Sequence, residues 1–239
     1  MAKGKQTPRQ KMINLMYLVF IAMMALNIDV EIIRSYYDST RALKETRFLT
    51  EQKNEDIFEK TLEAKAQQVP DTYAKPWEDY KGLKTKLDLL VSSTEDIKTT
   101  LKKQSEFIDK DPKTGKDMDV QENFSALNNN EATIDYFFKD GDENTPSAKA
   151  LELKKRMDDV RSYINTKFGS NEQLKKMVER ANTSLSAEYA NGKSPNGKTW
   201  FQNKFYNQPL IAAMSNLEII QNDARNVQSD ALALMLQEK

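Results

Sequence analysis

The sequence contains no cysteine and no histidine, and only seven glycines and seven prolines occur in its 239 residues. Without cysteine there are no disulfides, thiolate nucleophiles or cysteine-based zinc sites, and without histidine the commonest general base and metal ligand is missing. These absences exclude a conventional triad hydrolase and a zinc enzyme, and we expect no enzymatic activity, no cofactor and no metal. Because helix breakers are scarce and 30% of the residues are charged, helix is the expected structure.

Basic and acidic residues balance at 36 each, but they are unevenly distributed. Lys3, Lys5, Arg9 and Lys11 are the only charged residues among the first 28, which therefore carry a formal charge of +4. The rest of the chain carries 32 bases and 36 acids, a charge of −4. A total of zero argues against a nucleic-acid-binding surface spread over the molecule.

One uncharged run, MINLMYLVFIAMMALNI from Met12 to Ile28, differs from the rest of the chain. Seventeen helical residues span about 25 Å, at the short end of what a bilayer requires, and snorkelling of Lys11 lengthens the span. We therefore predict a single membrane helix over residues 12–30. By the positive-inside rule, the basic residues 1–11 lie in the cytoplasm and residues 31–239 lie in the periplasm of a bacterial inner-membrane protein.

Two other interpretations of this run are open. A helix buried in a soluble core has a similar composition, and a cleaved signal peptide has a similar basic start and apolar stretch. The run is longer than the apolar part of a usual signal peptide, and no clear cleavage triplet of small residues follows it. We therefore favour an uncleaved anchor.

The segment Thr7-Pro8-Arg9-Gln10 is typical of a helix start. Thr7 is the expected N-cap, Pro8 fits the first helical position, and Gln10 completes a capping box. Arg9 then lies inside the helix, near the cytoplasmic boundary of the membrane.

Arg9 begins a stripe along this helix. At 100° per residue, Met16, Phe20 and Asn27 lie within about 20° of its direction. Arg9 either contacts lipid headgroups or pairs with an acid on a neighbouring membrane helix, since an ionisable group at membrane depth is costly without a partner. Asn14 and Asn27 either form interhelical hydrogen bonds or mark the membrane boundary. The candidate packing residues are Asn14, Met16, Tyr17, Phe20 and Asn27.

The segment from Lys5 to Asn27, KQTPRQKMINLMYLVFIAMMALN, closely resembles the N-terminus of the GldM/PorM family. Members of that family are inner-membrane components of the type 9 secretion system and of gliding motility in Bacteroidota. The resemblance implies a homodimer whose paired helices lie inside a ring of GldL/PorL membrane helices, with proton flow powering the assembly. It also implies contacts with periplasmic and outer-membrane secretion components through further domains. Because the chain stops in the helical run ALALML, we expect a truncated chain with the anchor and the first periplasmic domain.

For residues 31–239, the sequence predicts an all-α antiparallel bundle. No glycine or proline occurs from Asp29 to Gln68, so the anchor is expected to continue as one helix out of the membrane. Pro70 and Pro76 are expected to end it, and a second helix follows from Trp77. We interpret the charged faces of these helices as solvated surface.

Residues 109–146 are rich in turn-forming residues and predict an irregular insertion, with a short hairpin around Thr133 to Phe138. Three further helices are predicted: one capped by Thr145-Pro146 and ended by Gly169, a fourth up to about Leu185, and a fifth from near Pro209. A loop is expected from Asn191 to about Gln208. The inward face of the fifth helix is expected to carry Met214, Leu217, Ile220, Ala224, Val227 and Ala231.

Two motifs suggest ligands but lack the required context. Gly192 to Thr199 matches the phosphate-binding loop pattern, yet no buried strand precedes it and we see no convincing helix start after it. The acids from Asp109 to Val120 depart from the calcium-binding EF-hand pattern, because Gly115 is misplaced and Val120 replaces the final glutamate.

The leading hypothesis is an inner-membrane motor subunit that transmits motion from the membrane to the periplasm and needs no catalytic residue. A membrane-anchored periplasmic ligand sensor or scaffold is the alternative. A periplasmic enzyme is a third hypothesis, which a pocket with convergent acids would favour.

Overall fold

The computed structural model describes residues 7–237, with the backbone alone for residues 26–28. Throughout this part of the chain the secondary structure is helical, and no strand occurs. The predicted all-α class is therefore confirmed.

The first helix begins where the sequence predicts. The Thr7 hydroxyl accepts a hydrogen bond from the Gln10 backbone N–H at 3.3 Å, and the Gln10 side chain accepts one from the Thr7 N–H at 3.4 Å. This capping box satisfies two backbone donors, and Pro8 occupies the first helical position, where no donor is needed.

From this start, α1 (Pro8–Lys53) continues directly into a π-helical segment (Asn54–Glu59) and α2 (Lys60–Gln68). Together they form one helix of 61 residues, about 90 Å long at 1.5 Å per residue. The expectation that the anchor continues as one helix to Gln68 is confirmed. The π-helical segment is an addition that the sequence pattern does not indicate.

The next helix, α3 (Pro70–Gln104), reverses the direction of the chain. Pro70 takes its first position, so the expected second helix begins earlier than Trp77. The expectation that Pro76 also ends a helix is wrong, because Pro76 lies inside α3. The backbone hydrogen bond that proline removes is offset by the burial of apolar side chains farther along α3, including Leu83 and Leu87.

The insertion between α3 and the next long helix contains two short helices, α4 (Phe124–Leu127) and α5 (Glu131–Phe137). The predicted hairpin around Thr133 to Phe138 is wrong. This segment is helical because its aromatic side chains pack into the core, where the Phe137 ring stacks on Phe205 with centroids 3.8 Å apart. The rest of the insertion is irregular, as expected, with turns, a short 3₁₀ helix (Lys139–Gly141) and isolated β-bridges.

Four α-helices complete the described part of the fold: α6 (Ala148–Phe168), α7 (Lys175–Ser184), α8 (Trp200–Phe205) and α9 (Leu210–Met235), with a short 3₁₀ helix (Glu172–Leu174) before α7. The N-cap of α6 is Ser147, one residue beyond the expected cap, and α6 ends at Gly169 as predicted. The helix α8 lies inside the expected loop and begins at a capping box between Thr199 and Gln202.

The core lies among α3, α6 and α9, with α1 packed along α9 and α2 packed against α3. Its fully buried large side chains include Tyr80, Leu83, Leu87, Leu90, Leu101, Phe137, Leu153, Met157 and Phe205. Every apolar residue predicted to face inward on α9 is buried.

The bundle is not wholly antiparallel. Neighbouring helices run antiparallel, but α1 and α9 run parallel. Ile33 in the middle of α1 packs with Ile211 at the start of α9, and Lys65 of α2, farther along the long helix, donates to the Leu236 carbonyl at the end of α9, at 3.3 Å. The antiparallel expectation holds for helices joined by short loops, whereas α1 and α9 are joined by the rest of the domain.

Candidate functional site in the long helix

An exposed apolar surface surrounds the first part of α1. The exposed fractions of its large apolar side chains from Met12 to Met24 range from 42% for Ile13 to 66% for Met16. Of the most apolar 18-residue segment of this helix, only 7% is buried. A core helix of a soluble domain would be buried, so that interpretation of the run is wrong. By length and composition this helix could span a membrane.

The predicted site residues lie on this surface, and Arg9, Asn14, Met16, Tyr17 and Phe20 are all exposed. The side chain of Asn27 lies outside the described residues, so its place in the stripe stays a prediction. Within residues 7–237, Arg9 has no ion-pair partner, and the first turn of α1 contains no acid.

The position of Arg9 has an electrostatic consequence. Arg9 is the second residue of α1, where unpaired backbone N–H groups give the helix end a partial positive charge of about half an elementary charge. A cation at a helix N-terminus is unfavourable, and an anion there is favourable. Arg9 and this helix end would therefore both be stabilised by a nearby carboxylate.

The long helix meets the bundle soon after the apolar run. Ile33 is 4% exposed and packs with Val120, Leu127 and Ile211, which come from the insertion and from the start of α9. Arg34 adds an ion pair with Asp119 of the insertion at 3.5 Å. Contact with the bundle thus begins about one and a half turns after residue 28.

A group of charged side chains lies inside the bundle beyond this point. Arg47 Nε of α1 is 2.6 Å from one carboxylate oxygen of Glu218 on α9, and Lys98 Nζ of α3 is 2.7 Å from the other. Glu218 is only 1% exposed and Lys98 only 4%. The expectation that the charged faces are solvated is wrong for these residues.

Sequence reasoning missed this cluster, although α9 contains a signal for it. Its buried polar residues share the 3–4 residue spacing of its apolar ones, as expected for a helix surrounded on all sides. These polar residues are Glu218, Gln221, Asn222, Arg225 and Gln228.

A groove of about 1150 Å³ opens between α1 and α3 beside this cluster, lined in part by Phe48 and Phe107. Its acids are paired rather than free. Burial alone would raise the pKa of Glu95, but hydrogen bonds from Lys98 and Gln221 outweigh burial and lower that pKa, so the group is ionised. A paired, ionised carboxylate is a poor general acid, and the groove does not favour the enzyme hypothesis.

The segment that matches the phosphate-binding loop is a surface turn. The Gly197 N–H donates to the Ser194 carbonyl at 2.8 Å, and no strand precedes the turn. The expectation that no helix start follows is wrong, since α8 begins at Trp200 with Thr199 as its N-cap. The Thr199 hydroxyl accepts a hydrogen bond from the Gln202 N–H at 3.3 Å, so this side chain has a structural role as a cap.

The acids from Asp109 to Val120 also have a structural role. The Asp111 carboxylate accepts hydrogen bonds from the Lys113 backbone N–H at 2.7 Å and from the Thr114 hydroxyl at 2.9 Å, and these bonds lower its pKa. Asp111 therefore shapes a turn. Among the described residues, no group of three or more acids is arranged to hold a metal ion.

These features define a class of protein: an all-helical domain carried by a continuous apolar helix that is long enough to cross a membrane. The chain belongs to the GldM family, because the family described as GldM N-terminal domain matches residues 31–238. No curated protein matches the chain.

The matched range begins after the apolar run, so it is separate from the segment Lys5 to Asn27 that carries the resemblance. Two different parts of the chain thus point to one family, and the predicted membership is confirmed. The family comprises inner-membrane-anchored components of gliding motility and type 9 secretion that are associated with GldL. Its members are not known as enzymes.

Proposed function

We propose that the chain is an inner-membrane subunit of a motor that uses the proton-motive force to power type 9 secretion and gliding. The observation that carries the motor role is Arg9, which has no acid partner within residues 7–237 and lies at the start of a helix that continues into the bundle. The chain itself needs no catalytic residue for this role.

In this proposal, the apolar helix is an uncleaved single-pass anchor with residues 1–11 in the cytoplasm and the bundle, residues 31–239, in the periplasm. The excess of basic residues before the apolar run supports this orientation. The contact of Ile33 with the bundle supports an uncleaved anchor. Ile33 and the apolar run belong to the same helix, and cleavage between them would cut that helix next to its contact with the bundle.

The proposed partners are a second copy of the chain and a ring of GldL/PorL-like membrane helices. Arg9 pairs with a carboxylate of the ring, and Asn14, Met16, Tyr17, Phe20 and Asn27 pack against the surrounding helices. A proton that enters the ring neutralises the carboxylate and weakens its pair with Arg9, which releases the helix to turn. Moving one charge across the membrane supplies about 2.3 kcal/mol per 100 mV.

Replacing Arg9 by alanine tests this proposal. We expect Arg9→Ala to reduce secretion and gliding at least about tenfold, because a tenfold effect corresponds to only about 1.4 kcal/mol of lost interaction. The complex with the ring should still assemble, as judged by co-purification. Secretion of a type 9 cargo and spreading of colonies are the measurements.

Lys11→Ala is the matched control. Lys11 is also a cation of the first turns, but it lies about 200° around the helix from Arg9. Normal secretion with Arg9→Ala, or an equal loss with Lys11→Ala, would refute the specific role of Arg9.

The groove between α1 and α3 favours a second candidate, a membrane-anchored periplasmic ligand sensor or scaffold. This candidate predicts that bulky substitutions in the groove, such as Thr99→Trp, abolish function while Arg9→Ala does not. The two variants together discriminate the two functions.

A further inference from the structure

In its middle part, the long helix is held in the bundle by polar contacts. Between Ile33 and Leu62, no apolar side chain of this helix is fully buried, and the buried residues in this stretch are Thr40 and Asn54. Apolar packing therefore anchors the helix at the two ends of this stretch, and polar groups hold the part between them.

Four polar contacts join this stretch to α9, and three of them involve side chains of Asn222, Arg47 and Arg225. Asn222 Nδ2 donates to the Leu43 carbonyl at 3.0 Å, and Arg47 Nε donates to Glu218 at 2.6 Å. Arg225 Nη2 donates to Glu51 at 2.5 Å. We call these contacts, with the bond described next, the polar seam.

The last contact of the polar seam reverses the direction of the first. Asn54 of the long helix donates through Nδ2 to the backbone carbonyl of Arg225 at 3.1 Å. A side chain of each helix thus binds the backbone of the other. Sliding or turning the long helix along α9 would break bonds at both ends of the polar seam.

The polar seam continues from α9 to α3. Arg225 Nη1 is 2.6 Å from the Asp88 carboxylate, and Gln221 Nε2 donates to the Val91 carbonyl at 3.1 Å. Lys98 binds the same Glu218 carboxylate that Arg47 binds. A force on the long helix therefore reaches both α9 and α3 through directional bonds.

Stability alone does not explain why charged groups occupy this interface. Buried ion pairs can often be replaced by apolar residues of similar volume without loss of stability, because pairing only compensates for desolvation. Apolar contacts, however, are non-directional, whereas hydrogen bonds and ion pairs weaken steeply when their geometry changes. Buried polar pairs are best attested as devices that fix the register of packed helices.

We infer that the polar seam fixes the rotational setting of the long helix, so that turning of the membrane helix moves the bundle instead of slipping against it. Arg47, Glu51, Glu218 and Arg225 are positioning residues in this role. The inference rests on the proposed motor function and names the contacts through which the motion is transmitted.

The test replaces these four charges by methionine in the full chain: Arg47→Met, Glu51→Met, Glu218→Met and Arg225→Met. Lys98 keeps Glu95 as a partner at 2.7 Å, so no buried charge is left alone. We expect a folded variant with a Tm close to that of the parent and normal assembly with the membrane partner. Secretion and gliding should fall at least about tenfold.

Leu217→Ala is the matched control for stability. Leu217 is a fully buried residue of α9 next to Glu218, and its truncation lowers the Tm without removing the polar seam. This variant should secrete normally at a temperature where it remains folded.

Restoring the connection provides the decisive measurement. The chain has no cysteine, so cysteines in place of Arg47 and Glu218 in the methionine background can be joined selectively by a short bis-maleimide. We expect cross-linking to restore secretion. An unfolded methionine variant, normal secretion without the two charged contacts of the polar seam, or failure of the cross-link to restore secretion would overturn the inference.

Arg9→Ala separates this inference from the proposed function. If Arg9→Ala abolishes secretion and the methionine variant does not, only the inference about the polar seam is wrong. If Arg9→Ala secretes normally, the proposed motor function fails.

Discussion

Asp223 of α9 is a single side chain whose charge state is set by its surroundings. Burial raises its pKa to about 6, while Arg180 and Lys204 have smaller, opposite effects. An unfolded aspartate titrates near 3.9. Between these two values the native state binds the proton more tightly than the unfolded state, so the free energy of unfolding falls as the pH rises through this window.

We therefore predict that Asp223→Asn stabilises the protein at pH 7.5. The gain should be about 1 kcal/mol, or about 2–4 °C in Tm, because the partly exposed carboxylate is screened by solvent. The gain should disappear near pH 4, where the carboxyl is protonated in the parent. Thermal unfolding followed by circular dichroism from pH 4 to pH 8 measures the effect.

Asp135→Asn, at an exposed position of α5, is the control and should leave the pH profile unchanged. A gain from Asp223→Asn that is the same at pH 4 and pH 7.5 would contradict the role of burial.

Residue roles that depend on local spacing were predictable from the sequence, and those that depend on distant partners were not. The capping box of Thr7 and Gln10 follows from four adjacent residues, and the structure confirms it. The pairing of Arg47 with Glu218 joins residues 171 positions apart, which no local pattern relates. Single-sequence reasoning therefore places Arg47 on a solvated face, although the structure places it inside the bundle.

At the scale of elements, length decided how well the sequence predicted each helix. The long helix was predictable because no glycine or proline interrupts residues 29–68. The segment from Thr133 to Phe138 has the β-branched and aromatic residues of a strand, but the packing of Phe137 on Phe205 favours a helix. The six residues of α8 are too few to produce a helical repeat, so only its cap could have indicated it.

The cap of α8 gives a prediction for this element. Thr199→Ala removes the hydroxyl that accepts the Gln202 N–H, so we expect the free energy of unfolding to fall by about 1 kcal/mol. Thr199→Ser keeps a hydroxyl and should retain most of the stability. Urea unfolding of both variants measures the difference.

The same experiment tests the phosphate-binding-loop interpretation. If Thr199 only caps α8, magnesium and ATP should leave the unfolding midpoint of the parent unchanged. A midpoint that rises with ATP concentration would show nucleotide binding and contradict the structural role.

At the scale of the whole molecule, the exposed apolar helix has two opposite faces. In the proposed assembly, Arg9 faces the ring, and Met16 lies on the same side of the helix. Leu18 lies about 180° from Arg9, and its exposed fraction of 65% nearly equals the 66% of Met16. The proposed homodimer would therefore pair through the side that carries Leu18.

We predict that Leu18→Cys forms disulfide-linked dimers in membranes under oxidising conditions, and that Met16→Cys does so much less. The chain has no cysteine of its own, so each variant reports on one position. Non-reducing electrophoresis after oxidation gives the dimer fraction. More dimer with Met16→Cys than with Leu18→Cys would reverse the assignment of the two faces.

The parallel pairing of α1 with α9 has a consequence for biosynthesis. Their contacts join residues 171 to 179 positions apart, so a ribosome delivers the apolar helix long before it has made α9. Domains generally fold as units during synthesis, and contacts of large sequence separation form late because closing long loops costs entropy. The apolar helix is thus made long before its contacts with α9 can form, and its angular setting against α9 is established only after the rest of the domain has been made.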